Sequence, residues 1–160
     1  MARKYRVFDT FISALKNLET EDKQLFKWSK NRIALSHALA VQLYKLNPEV
    51  SVDLCPYHIK TDILVHNRKT GQNYLALVCR NDYLSEKEQK QLLNLAKKTK
   101  CELVMAISFF PQKNYMLLYR ATESGIEYYH FDRNTLTSNV VRKKITSTQK
   151  NTQQLMLDSI

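Results

Sequence analysis

Two periods of apolar positions divide the chain. Phe8, Phe11, Ile12, Leu15 and Leu18 recur at three- and four-residue steps, which predicts a short helix over Val7–Leu18. The same period runs on through Leu25, Trp28, Arg32, Leu35, Leu39, Leu43 and Leu46. That predicts one long amphipathic helix starting near Glu21, with Thr20 as its N-cap and Glu21 and Asp22 at the positive end of its dipole. Asn47–Pro48 should stop it, because the residue before a proline avoids the helical region. Val50, Val52 and Leu54 then alternate, as a half-buried strand does. The segments 61–66 and 73–80 read as further strands around a polar turn centred on Gly71. Neither alternates cleanly, so both faces are expected to be covered. Ser85-Glu86-Lys87-Glu88 is a capping box that opens a helix to about Lys98, with Leu92, Leu93 and Ala96 in its buried stripe. Leu103–Phe110 is a continuous apolar run, read as a central strand near 102–109 and ended by Pro111. Tyr115–Arg120 and Ile126–Asp132 predict a hairpin over Gly125.

From Asn134 onward the composition shifts to Thr, Ser, Asn, Gln and Lys. This predicts an α/β domain over residues 1–133 and a polar, basic tail over 134–160, with a helix near Gln153–Leu157. A chain of 160 residues with 44% hydrophobic content is long enough for one core. Its net charge of +10 suits a polyanionic partner, since each cation that neutralises a phosphate releases a counterion. Nucleic acid is therefore the expected partner, DNA more than RNA. No apolar run approaches the roughly 20 residues that span a bilayer, and the basic start MARKYRVFDTF lacks an apolar signal core. No membrane partner is expected. The three cysteines form no C-x-x-C pair and leave one odd, as in a reduced, cytoplasmic protein. Cys55 and His58 have the spacing of half a zinc site, but no second pair follows, so zinc is not expected.

The segments NRIALSHALAVQL, VDLCPY, TDILVHNR and NYLALVCRN carry a resemblance. The order helix, three strands, helix, strand resembles the core of the PD-(D/E)xK (restriction-endonuclease-like) nuclease superfamily. These segments look like a bacterial nuclease-like family in which a P-D-I-I-V-H strand precedes an I-E-x-K strand. The similarity covers about Asn31 to Phe110, and TDILVH is its specific part. It implies an αβββαβ core with a mixed central sheet flanked by helices, followed here by a C-terminal hairpin.

In such nucleases an aspartate and a glutamate hold Mg²⁺, which polarises the scissile phosphate and activates water. A lysine then orients the nucleophile. The resemblance puts Asp62 at the aspartate position, Val78 at the glutamate position and Arg80 at the lysine position. The acid often found on the first helix would fall near Asn31 or Arg32, where there is none. A degenerate member is therefore implied, with no cofactor expected. Two arrangements remain open. In the preferred one Asp62 and Arg80 form a salt bridge. In the other, a carboxylate has migrated from Glu86, Glu88 or Asp82 and the chain is an active Mg²⁺-dependent endonuclease. Candidate nucleic-acid contacts are Arg68 and Lys69 in the turn, then Lys97, Lys98 and Lys100, then Arg142, Lys143 and Lys144. A third class is a protein-interaction subunit, as a homodimer or with another protein partner.

Overall fold

The computed structural model describes residues 6–25, 32–110 and 112–141. Among them, seven strands form one mixed sheet whose spatial order is the chain order. The strands are β1 (Ser51–Leu54), β2 (Ile63–His66), β3 (Asn73–Arg80), β4 (Leu103–Phe109), β5 (Tyr115–Thr122), β6 (Gly125–Asp132) and β7 (Thr137–Val141). Helices α1 (Val7–Glu21) and α2 (Arg32–Leu46) precede the sheet, and α3 (Glu86–Thr99) joins β3 to β4. All neighbours are antiparallel except β3 and β4. A parallel pair needs a crossover long enough to return the chain, and α3 supplies it.

The lack of alternation in the central strands has a direct cause: the sheet is covered on both faces. Leu75, Leu77 and Cys79 of β3 pack with Phe11, Leu15 and Leu18 of α1 and with Leu35, Leu39 and Leu43 of α2. Ala76 and Val78, one residue out of phase, pack with Leu92, Leu95 and Ala96 of α3. The molecule is thus three layers, two helices over one face and one over the other. The predicted β2–β3 pairing is present, with Ile63 opposite Leu77 and Val65 opposite Leu75. Gly71 takes a φ of +78° in the turn between them, a conformation open to glycine at little cost. Among the described residues no helix is long and apolar enough to cross a membrane.

Three expectations change. The long helix from Glu21 does not form, because α1 runs on to Glu21 itself. Thr20 is no N-cap: it lies in the last turn of α1, its hydroxyl donating back to the Lys16 and Asn17 carbonyls. The apolar period carried across this break because two helices packing on one face can share a phase. The fold also does not end at residue 133. Thr137–Val141 pairs with β6 as a seventh strand, its polar side chains suiting a sheet edge. The expected helix near Gln153–Leu157 lies outside the described residues. Finally, α3 buries Gln89 and Leu92, while Leu93 and Ala96 are only half-buried.

Candidate functional site

Asp62 stands just before β2, and the pairing of β2 with β3 brings it beside Cys79 and Arg80. Its own N–H donates to the Leu77 carbonyl at 3.1 Å, and its Oδ2 accepts the Cys79 N–H at 2.7 Å. Arg80 Nη1 reaches the same oxygen at 3.3 Å. Arg32, in the first turn of α2, donates from Nη1 to Oδ1 at 2.6 Å. The Asp62 side chain is only 11% exposed, so this carboxylate is neutralised by two guanidiniums with little water around it.

The chain of charge continues. Arg80 Nε donates to Glu88 Oε2 at 3.2 Å, and Glu88 Oε1 accepts the Ser85 N–H at 3.1 Å. The Ser85 hydroxyl accepts the Glu88 N–H at 3.2 Å, which completes the capping box. One glutamate therefore closes the helix N-terminus and grips Arg80. Burial alone raises the Glu88 pKa. The bonds from the Ser85 backbone and hydroxyl and from Arg80 outweigh it and hold the carboxyl below its ordinary value. Arg32, Asp62, Arg80 and Glu88 thus form one line from α2, past the mouth of β2 and β3, to α3. Beneath it the Cys79 thiol is fully buried, and burial above all pushes its pKa up to about 12. It is not a nucleophile.

Beside this line, on the α3 face, lies a groove of about 630 Å³. Val78 and Asn73 of β3 are at its floor, and His58, Ile59 and Lys60 of the β1–β2 connection form one side. Leu92, Leu95, Asn94 and Lys98 of α3 form the other, with Arg80 and Glu88 at one end.

The expected Asp62–Arg80 salt bridge is present. Of the two glutamates of the capping box, only Glu88 is at Arg80. Glu86 is exposed and lines a different groove with Lys90, Leu93 and Val140. Asp82 accepts its neighbour's N–H, from Tyr83, and its carbonyl accepts the Ser108 hydroxyl. Arg68 is bound to Asp53, whose other oxygen is 2.7 Å from His66 Nε2. Lys69 is exposed in the β2–β3 turn. Lys97, Lys98 and Lys100 are exposed at the end of α3, but only Lys98 lines the groove. Arg142, Lys143 and Lys144 lie outside the described residues.

Sequence reasoning passed over Arg32 as a partner of Asp62. The signal was available: a cation stands where the resemblance leads one to look for an acid. Lys60 was also missed, since only the fold shows that the β1–β2 connection walls a groove.

A divalent cation does not fit this donor set. Both Asp62 oxygens and both Glu88 oxygens are taken by N–H donors, and Val78 offers no oxygen, whereas Mg²⁺ needs carboxylate and water oxygens in octahedral array. Among the described residues no group of three His, Cys, Asp or Glu side chains is arranged to hold a metal. Comparison with protein-family models, with curated proteins and with solved structures found no match.

Proposed function

We propose that this chain is a catalytically degenerate PD-(D/E)xK-fold protein that acts as a nucleic-acid-binding or accessory interaction module. The observation that carries the reading is the state of Asp62, whose two oxygens are held by Arg32, Arg80 and the Cys79 N–H. Cleavage of a phosphodiester requires carboxylates that converge on a metal ion. Here the one acid in the expected place faces two arginines. A helix, a three-strand meander, a helix and a parallel fourth strand agree with the core that the family resemblance implies. The net charge of +10 favours a polyanion.

Purified protein with Mg²⁺ or Mn²⁺ should leave DNA uncut, yet retain DNA on a filter at low salt and lose it steeply as salt rises. Robust metal-dependent cleavage, abolished by Asp62→Ala, would overturn this reading in favour of an active endonuclease that uses Glu88. No retention at low salt would remove the nucleic-acid half. The paired replacement Val78→Glu and Arg80→Lys is expected to create Mn²⁺ affinity that calorimetry does not detect in the unmodified chain.

A second reading has one observation behind it. On α2, Ile33, Val41 and Tyr44 are 68%, 41% and 52% exposed at helical spacing, on the side away from the core leucines. Such a stripe favours a protein partner. Tyr44→Arg would then convert an associated species to monomer in size-exclusion chromatography, with nucleic-acid retention unchanged.

A further inference from the structure

We infer that the groove between the β1–β2 connection and α3 binds single-stranded nucleic acid in preference to duplex. The inference rests on the nucleic-acid reading above and adds strandedness to it.

The first ground is shape. Arg80 is bound to Glu88 at one end of the groove, and Lys98 is near the other, ten residues further along α3. At the rise of an α-helix that is a length of about 15 Å. A volume of about 630 Å³ over that length makes the groove longer than it is wide. A duplex is broader than its own major groove of about 12 Å and is too wide to lie inside such a groove. One extended strand is not.

The second ground is charge. The guanidiniums of Arg32 and Arg80 offset the carboxylates of Asp62 and Glu88, so the line at the groove's end is close to neutral. Lys60 and Lys98, both exposed, make no ion pair among the described residues and are left as net positive charge on opposite walls. Arg80 Nη2 likewise has no hydrogen-bond partner among the described residues and is available to an anion. A cationic rim over an apolar interior, Val78 at the floor and Leu92 and Leu95 on the α3 wall, suits phosphates at the lip and bases inside. The third ground is topology: Asp62, the acid expected to act on a strand, does not line the groove, and both its oxygens are taken by Arg32, Arg80 and the Cys79 N–H, so it offers no free oxygen to the phosphates.

The test is fluorescence anisotropy with the full chain, a short mixed-sequence strand and the same sequence as a blunt duplex, both labelled. The expected result is single-strand affinity at least about tenfold above duplex affinity, with Lys60→Glu and Lys98→Glu each weakening the single strand about tenfold and lowering its salt slope. Lys90→Glu, in the other groove, should change single-strand affinity much less. Both groove lysines are exposed, so the fold should persist, and unchanged thermal melting would verify it. Equal or tighter duplex binding would overturn the inference while leaving the nucleic-acid reading standing. Single-strand binding untouched by both groove variants would overturn it too. Binding of neither form would overturn both. Displacement of the strand by poly-glutamate at equal charge concentration would reassign the groove to an acidic peptide and overturn the inference.

Discussion

Asp62 is held on one side by an arginine from a helix and on the other by an arginine from a strand, and it also accepts a buried backbone N–H. Removing it leaves three donors without their acceptor. The two guanidiniums can recover water, since Arg32 and Arg80 are 43% and 36% exposed, but the Cys79 N–H cannot. The cost of an orphaned buried donor is about 1–3 kcal/mol, so Asp62→Ala should destabilise the chain by about 2–3 kcal/mol in urea unfolding. A loss below about 0.5 kcal/mol would mean that the charges are already satisfied by solvent. His130 makes a different demand. It is buried and stacked on Tyr115 at 5.1 Å, and burial lowers its pKa below the ordinary 6.5, with the nearby Asp132 carboxylate opposing only in part. The unfolded chain then binds the proton more readily than the folded one. Stability from this residue is complete above about pH 6.5 and declines as pH falls through that value, until the folded imidazole itself protonates. The urea midpoint should therefore drop between about pH 7.5 and about pH 5.5. In His130→Gln the drop should be smaller, and an equal drop in both proteins would show that another group titrates.

Among the elements, α3 shows how a local signal becomes a site. Its capping box was legible because four residues, Ser85 to Glu88, specify it without reference to the rest of the fold. The sequence did not show that Glu88 Oε2, left over from the cap, would meet Arg80, since that depends on where β3 ends relative to α3. Ser85→Ala should therefore cost about 1 kcal/mol, the usual price of an N-cap, and also loosen Arg80. A cap loss with no change in single-strand affinity would show that Arg80 is positioned by Asp62 alone. The central strands were legible for the same local reason: Ile63–Val65, Leu75–Cys79 and Leu103–Phe109 are apolar on both faces. The break between α1 and α2 was not legible, because Thr20 and Asp22 are as consistent with a cap as with a helix end. β7 was hidden by its composition. Thr137, Ser138 and Asn139 are poor core residues, and their strand is set by pairing with β6 rather than by burial.

Across the whole molecule, the first helix meets the last strands through apolar packing, with Phe8 5.4 Å from Tyr129, and through a buried ion pair. Arg133, at the turn after β6, donates from Nε to Glu19 Oε1 at 2.6 Å across 114 residues of sequence, and from Nη1 to the Lys113 carbonyl at 2.8 Å. The Glu19 side chain is 5% exposed and that of Arg133 is 13% exposed. Taking both charges out of water costs nearly as much as their attraction returns, so the pair contributes little net stability over an apolar substitute. Its removal by halves is another matter. Arg133→Met leaves a buried carboxylate without its ion-pair partner and should destabilise the chain by about 3 kcal/mol. Adding Glu19→Leu removes the orphaned charge and should restore most of that loss, giving a coupling of about 2 kcal/mol in a double-mutant cycle. Because the bond ties α1 to the far end of the sheet, the single variant should also expose the α1 amides to hydrogen exchange well before those of β4. If the two substitutions prove additive, or if α1 and β4 exchange together, the pair does not join the ends of the chain and α1 is held by its apolar packing alone.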